Sequence, residues 1–214
     1  MIRKWKQEQK NLLVLDAGDL LYPRASKPPS QDGKAVMNLK AMAIVAAFNH
    51  MGCDAITIGE DDLLWGKENL LEIIKGREFS VVSANLIDGE SGKPLFRPYV
   101  IKQMGGFKVG IFGLFPKSPR KEGQFSGLTV LEPFGIAQKM VSTVRREADF
   151  VILLSHLGYA KDLELARKVE GINVIAGGHN GINLSHPRII ENTVVLQVGN
   201  RGRYLGRIDI TINL

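Results

Sequence analysis

Two apolar stretches that each end in a histidine constrain the fold of this chain more than any other feature. Residues 149–158 (DFVILLSHLG) form an unbroken apolar run closed by Ser, His156 and Gly, and residues 172–180 (INVIAGGHN) repeat the design with His179. A helical pattern over 161–169 separates them. Short apolar runs bounded by glycine, with a helix between them, predict a β-α-β unit whose sheet is covered on both faces. Ligands of such sheets bind beyond the carboxyl ends of the strands, so we expect the two imidazoles to share one crevice.

Length and composition are those of a single soluble globular domain. The chain has 214 residues, of which 44% are hydrophobic and 23% are charged, and at this size about 70% of the extended-chain surface is buried on folding. No window approaches the run of about 18 apolar residues that a membrane span needs. Cys53 is the one cysteine, which excludes a disulfide within the chain, and we expect it to be packed and unreactive.

The net charge of +6 does not by itself indicate a nucleic-acid partner. The basic residues are scattered, with local clusters at 3–6 and 117–121, and the second cluster has no interleaved aromatic residues for base stacking. We therefore expect solvated surfaces and no nucleic-acid partner. No signal peptide is expected, because the apolar run 12–15 is too short and ends in Asp16. The compartment stays open, and an exported or periplasmic protein remains an alternative if residues precede Met1.

Hydrophobic periodicity predicts strands and helices that alternate along the chain, in one α/β domain with a mixed sheet or two sheets. Besides the two histidine-tipped runs, the predicted strands are 12–15, 54–59, 79–83, 99–104, 107–114, 188–190, 194–198 and 204–212. The predicted helices are a polar one within 1–10 and then 34–50, 67–75, 131–146 and 161–169, with a loop over 22–33.

Acidic residues follow two of the other predicted strands. Asp19 comes after the strand 12–15, and Glu60, Asp61 and Asp62 come directly after the strand 54–59. An acidic triplet after a strand is also favourable at a helix N-terminus. Because the triplet follows the earlier Gly-Asp arrangement, we expect both groups to contribute to one acidic crevice. The remaining histidines, His50 and His186, are predicted to lie on the surface.

Taken in order, these pieces resemble the metallophosphoesterase (calcineurin-like) domain of the 5′-nucleotidase family. The resemblance covers about 12–214, and the closing segment 195–209 strengthens it. It implies a four-layer α/β/β/α sandwich with mixed sheets, metals at the strand ends, and metal-dependent hydrolysis of phosphate monoesters. The matching pieces are Gly18-Asp19, the polar cluster 59–62, Ser83-Ala84-Asn85, Ser155-His156-Leu157-Gly158 and Gly177-Gly178-His179.

The sequence departs from the family pattern at several functional positions. No Asp-x-His, which supplies two ligands of the family's first metal, occurs upstream of Asp19. The family's Gly-Asn-His-Glu is replaced here, so that Glu60 stands for the metal-binding asparagine and Asp61 for the catalytic histidine. Gly181 stands where the family's Gly-His-x-His supplies a third ligand of that first metal. We therefore expect 1–214 to be a single domain that lacks the family's first strand and its C-terminal nucleotide-binding domain.

The resemblance implies that one metal site is retained. Its ligands are Asp19, His156 and His179, with Glu60 in place of the asparagine, a set that suits one Zn²⁺, Mn²⁺ or Fe²⁺ ion. A second metal is not expected in this chain. At the catalytic position, Asp61 replaces a cationic donor by a carboxylate beside an anionic substrate.

Three interpretations of function remain open. The chain is a degenerate phosphoesterase with weak activity towards a nucleotide or another small phosphoester, or a non-catalytic binding or scaffold module that keeps the fold and at most one metal. In the third interpretation, the natural protein has further residues before Met1, and these restore the missing strand. The substrate-binding residues cannot be assigned from the sequence.

Overall fold

The computed structural model describes residues 1–24, 30–117 and 125–211, with the side chain of Gln31 left aside. The helices are α1 (Ile2–Glu8), α2 (Gln31–Met51), α3 (Gly66–Ile73), α4 (Pro133–Val144) and α5 (Tyr159–Lys168), with a 3₁₀ turn at Asp61–Leu63. The strands are β1 (Leu15–Asp16), β2 (Ala55–Ile56), β3 (Ser80–Val81), β4 (Leu86–Asp88), β5 (Tyr99–Met104), β6 (Phe107–Leu114), β7 (Leu128–Val130), β8 (Phe150–Ser155), β9 (Val174–Gly177), β10 (Arg188–Ile190) and β11 (Thr193–Gln197).

Three apolar cores separate four layers of secondary structure. Helices α2 and α3 pack through Val45 and Leu70 against one face of the small sheet. The other face of that sheet meets the large sheet in a core that contains Ala55 and Ile152. The far face of the large sheet is covered by α4 and α5, with Leu165 in the third core. This arrangement is the predicted α/β/β/α sandwich, in which the large sheet is mixed and the small sheet is parallel.

The large sheet has the strand order β10-β11-β9-β8-β6-β5. Its four central strands, β6, β8, β9 and β11, are parallel, and antiparallel strands flank them at both edges. Val151–Leu154 are buried to the last residue because apolar cores cover both faces, which explains the unbroken apolar run in the sequence. The predicted β-α-β unit is therefore confirmed as β8-α5-β9.

The small sheet is a parallel set of short strands in the order β1-β2-β3. Parallel strands present their carboxyl ends at one edge, and the loops after β1 and β2 carry the acidic residues singled out above. The loops after β8 and β9 carry the histidines. A separate two-stranded pair, β4 with β7, lies outside both sheets.

Two predictions about segments outside the two sheets are wrong. The strand predicted at 204–212 is absent, because the described residues 204–211 are exposed and pair with no described strand. The loop predicted over 22–33 ends early, since α2 begins at Gln31 with Ser30 capping it. Residues 25–29 of that loop, 118–121 of the basic cluster and Ile212 lie outside the described residues. None of the helices in the described part of the chain is long and apolar enough to cross a membrane.

Candidate metal centre

Four side chains from four different strand ends meet at the edge shared by the two sheets. Asp19 follows β1, Glu60 follows β2, His156 follows β8 and His179 follows β9. Each offers one ligand atom, and these four atoms lie within 4.8 Å of one another. Within 1–24, 30–117 and 125–211 this is the one such group of His, Cys, Asp and Glu side chains. The structure thus brings together all four residues that the sequence named as ligands, while their role as ligands stays a prediction.

The ring of His156 is oriented from behind by the backbone. Its Nδ1 lies 2.6 Å from the carbonyl oxygen of Ala17, so Nδ1 carries the proton and donates it there. Nε2 lies 2.9 Å from Asp19 Oδ2 and 3.5 Å from Glu60 Oε2, and the His156 side chain is fully buried. A buried ring nitrogen that faces two carboxylates, with the other ring nitrogen bound to a carbonyl, is the usual arrangement of an imidazole that ligates a metal once its proton is displaced.

His179 completes the group from the side of the solvent. Its Nδ1 lies 2.9 Å from Glu60 Oε2, and its ring stands edge-on to that of His156 with 5.3 Å between the centroids. Asp19 and His179 both have positive φ angles, 57° and 73°. Residues other than glycine adopt such angles rarely and at an energetic cost. Such strained residues are frequent at functional sites, where a side chain must point in one direction.

A glycine keeps the space between these side chains open. A Cβ atom on Gly59 would collide with Asp19 Oδ1 and would lie 2.6 Å from His156 Nε2. Two imidazoles and two carboxylates are a ligand set that Zn²⁺, Mn²⁺ and Fe²⁺ accept. The buried ring nitrogen of His156, the carboxylate oxygens around it and the space that Gly59 preserves therefore fit a divalent transition metal.

Asp62 fastens together the two loops that carry the carboxylates. Its Oδ2 accepts hydrogen bonds from the backbone N–H of Asp19 and of Gly59, both at 2.9 Å, and its Oδ1 accepts one from Leu21 at 2.8 Å. The sequence placed Asp62 in the acidic triplet but did not predict this structural role. Its side chain is 1% exposed, so this carboxylate of the acidic crevice holds the backbone of the two loops in place.

Asp61, which stands at the catalytic position by resemblance, is buried in the 3₁₀ turn that follows β2. Its backbone N–H donates a 2.7 Å hydrogen bond to Asp19 Oδ1. The main chain of Asp61 thus helps to orient a predicted metal ligand. Together with Glu60 and Asp62, it forms a short acidic turn against the loop after β1.

Burial and charge shift the proton affinities of this region. Burial lowers the pKa of His156, but the carboxylate of Asp19, the carbonyl of Ala17 and the charge of Glu60 outweigh it, and the pKa is raised to about 9. Burial and the charge of Asp19 raise the pKa of Asp62 to about 7 against its backbone hydrogen bonds. The cluster therefore holds a proton at neutral pH that a bound cation would displace.

The other candidate residues lie away from this cluster. His50 is exposed near the end of α2, with its Nε2 3.1 Å from Arg3, and the exposed His186 contacts Ser185. Cys53 is buried, and burial raises the pKa of its thiol to about 12. These findings confirm the predictions of two surface histidines and a packed thiol, and the raised pKa disfavours the reactive thiolate. Asp162 on α5 was missed, because an acidic residue in the first turn of a helix is an ordinary sequence feature.

Comparison with known proteins finds phosphoesterases among the relatives of the chain, although no family model matches it. It is 30% identical over 237 residues to the "Probable 5′-nucleotidase" of Treponema pallidum, an alignment that covers 99% of this chain and 38% of that protein. It is 27% identical over 256 residues to the trifunctional nucleotide phosphoesterase protein YfkN of Bacillus subtilis, which covers 99% of this chain and 17% of that protein. The chain thus spans well under half the length of these two relatives.

Solved structures give the same result for the fold. A 5′-nucleotidase precursor from Thermus thermophilus superposes with a TM-score of 0.71 at 28% identity, over 92% of this chain and 41% of that one. The sulfate thiohydrolase SoxB from the same organism superposes with a TM-score of 0.78 at 26% identity, over 92% of this chain and 36% of the other.

Proposed function

The chain is a homologue of the metallophosphoesterase domain of the 5′-nucleotidases, and from this premise we propose that it is a single-metal phosphoesterase domain of low activity. Asp19, Glu60, His156 and His179 hold one divalent ion. The substrate class is a nucleoside monophosphate or another small phosphate monoester. The observation that carries the proposal is the convergence of four ligand atoms within 4.8 Å, one of them a fully buried imidazole nitrogen 2.9 Å from a carboxylate oxygen.

The residues of the chain support one metal better than two. The family's third ligand of the first metal corresponds to Gly181, which has no side chain and packs against Asn200. A divalent ion in the cluster would supply an acidified water and orient the phosphate. Two-metal enzymes clamp the attacking and leaving oxygens from both sides, and Gly181 cannot contribute to such a clamp.

Asp61 is the reason why the proposed activity is low. General acid–base catalysis contributes about 10²–10⁴-fold to rates, and a cationic histidine at this position would also attract the phosphoryl group. A buried carboxylate next to Glu60 and Asp62 repels it instead, unless a cation compensates the charge. The same observation favours a second candidate function, a non-catalytic module that binds a metal and a phosphorylated ligand without turnover.

A hydrolysis assay separates the two candidates. The purified protein is incubated with Mn²⁺ or Zn²⁺ and either AMP or p-nitrophenyl phosphate, with His179→Ala as the test variant and His186→Ala as the matched surface control. We expect metal-dependent turnover well below the ordinary enzymatic range of about 1–10³ s⁻¹, lost in the first variant and kept in the second. Turnover within that range would contradict low activity, and metal binding without turnover would favour the non-catalytic module.

A further inference from the structure

A row of small and polar residues lies directly behind the two histidine-bearing strand ends. Ser155 ends β8, Gly177 ends β9 and Gln197 ends β11, and the three are in register across the sheet. Asp162, from the first turn of α5, covers this row, and its side chain is 0% exposed. The row therefore forms the last layer of the sheet–helix core before the crevice begins.

The first contact of Asp162 fixes the end of β8, the strand that leads into His156. Ser155 Oγ donates a 2.5 Å hydrogen bond to Asp162 Oδ1 and accepts one from the backbone N–H of Leu157 at 3.2 Å. Ser155 and Leu157 are the two sequence neighbours of His156. The carboxylate of Asp162 therefore anchors the backbone on both sides of this histidine through one hydroxyl group.

The second contact of Asp162 fixes the end of β9, the strand that leads into His179. Asp162 Oδ2 packs so closely on Gly177 that a Cβ atom there would collide with it. The next residue, Gly178, donates from its backbone N–H to the carbonyl of Ser155 at 2.8 Å. Its own carbonyl accepts a 2.6 Å hydrogen bond from Gln197 Nε2. Both glycines immediately before His179 are thus fixed by the same row.

We propose that Asp162 is a positioning residue of the metal centre, which fixes the directions of His156 and His179 by bonding Ser155 and packing against Gly177. The inference rests on the proposed metal centre. Outer-shell groups that orient metal-ligating imidazoles typically change metal affinity by about 10–100-fold when they are removed. Asp162 acts on the imidazoles through the backbone of their neighbours.

The chemistry of the row gives a conservative variant. Asp162 Oδ2 and Gln197 Oε1 are both buried without a hydrogen-bond partner in the described structure, and burial raises the pKa of Asp162 to about 7. Asp162→Asn keeps an acceptor for Ser155 and replaces the second carboxylate oxygen by an NH₂ group at nearly the same volume. Asp162→Ala removes the anchor and the packing on Gly177. Glu164→Ala, on the exposed side of the same helix, is the matched control.

Ring signals of the four histidines, recorded by long-range ¹H–¹⁵N NMR on the metal-free chain, test the positioning directly. In Asp162→Ala we expect the signals of His156 and His179 to move, while those of His50 and His186 stay in place. Asp162→Asn and Glu164→Ala keep all four signals. If Asp162→Ala does not fold, Ser155→Ala replaces it and is expected to move the signal of His156. Unmoved signals, or equal changes in the Asn and Ala variants, would overturn the proposal.

Titration with Co²⁺ provides the second readout. We expect Asp162→Ala to lose about 10–100-fold in affinity with a changed visible spectrum. Asp162→Asn is expected to lose less than the lower bound of this range, about 10-fold, and to keep the spectrum. An Ala variant that is less stable but keeps its Co²⁺ affinity and spectrum would contradict positioning. Failure of the unsubstituted chain to bind Co²⁺ would instead refute the proposed function, and the NMR result would still decide the role of Asp162.

Discussion

Glu60 and Asp61 place two carboxylates where the related phosphoesterases, by resemblance, have an amide and an imidazole. Both side chains are buried, at 5% and 4% exposure, and Glu60 Oε2 faces both histidines of the cluster. A carboxylate ligand adds negative charge to the centre, which favours a cation and disfavours an anionic substrate. Glu60 and Asp61 therefore favour the binding of a metal over catalysis on a phosphate ester.

Restoring the family pair tests this balance. We expect the double variant Glu60→Asn, Asp61→His to raise the hydrolysis of p-nitrophenyl phosphate by less than about 10²-fold, the lower bound of a general acid–base contribution. The gain is small because Gly181 still lacks the ligand of a second metal. Initial rates in Mn²⁺ provide the measurement, and Asn180→Ala serves as a nearby control. A gain of several thousand-fold would show that these two carboxylates, and not the missing second metal, limit the rate.

Asp62 is predicted to be the main structural residue of the crevice. In Asp62→Ala, the N–H groups of Asp19, Leu21 and Gly59 lose their common acceptor, and the free energy of unfolding should fall by about 2–4 kcal/mol, since buried unsatisfied donors are costly. Urea denaturation measures the loss. The exposed variant Glu72→Ala should change stability by less than about 0.5 kcal/mol. Equal effects in the two variants would contradict this role.

At the scale of elements, local patterns in the sequence predicted most of the architecture. The hairpin 99–104 and 107–114 was predicted to the residue, because the Gly105-Gly106 turn and the flanking runs are local signals. The β-α-β unit followed from its two apolar runs. The strand at 204–212 was predicted from the same kind of pattern, but a strand also needs a pairing partner, and periodicity carries no information about that.

The site was predictable only in part, for a related reason. Strand-end positions and residue types predicted that the two histidines and the acidic residues share one crevice, since parallel strands gather their carboxyl ends. The resemblance to the 5′-nucleotidase family then singled out Asp19, Glu60, His156 and His179. The hydrogen bonds of Asp62 and the contacts of Asp162 join residues that belong to different strands, helices and loops. Their partners are backbone N–H groups and a serine hydroxyl, which leave no signature in the sequence.

The first helix is held on the small sheet through Asp54, at the start of β2. Asp54 Oδ2 accepts hydrogen bonds from Lys6 Nζ at 2.5 Å and from the backbone N–H of Val14 at 2.8 Å. We expect Lys6→Ala to cost at most about 1 kcal/mol, because partly exposed ion pairs contribute little. Asp54→Ala should cost about 1–3 kcal/mol, because it also strands the N–H of Val14. Chemical denaturation of both variants measures the difference, and a larger loss in Lys6→Ala would contradict it.

At the scale of the whole molecule, the buried ionisable groups predict how stability depends on pH. Burial raises the pKa of Asp16 to about 6 and those of Asp62 and Asp162 to about 7, from 3.8. The pKa of His156 rises from 6.5 to about 9. Each group binds its proton more tightly in the folded chain, so the free energy of unfolding must fall as pH rises. The carboxyl groups act between about pH 4 and 7, and His156 acts up to about pH 9.

Thermal unfolding in a chelator at pH 5 and pH 8 checks this prediction. The metal-free chain should be more stable at pH 5, with a slope of up to about 1.4 kcal/mol per pH unit for each group that is titrating. Added Zn²⁺ or Mn²⁺ should remove part of the difference, because the cation replaces the proton of His156 and binds more tightly at pH 8 than at pH 5, where protons compete for its ligands. Greater stability of the metal-free chain at pH 8 would contradict the assigned proton affinities.

Metal stoichiometry tests the central claim, a single metal held by Asp19, Glu60, His156 and His179, most directly. The chain is equilibrated with Mn²⁺ or Zn²⁺, freed of loose ions by dialysis and measured by elemental analysis together with His179→Ala and His186→Ala. The account predicts one equivalent in the unsubstituted chain, one in His186→Ala and a clear loss in His179→Ala. Two equivalents per chain, or one that persists in His179→Ala, would contradict it.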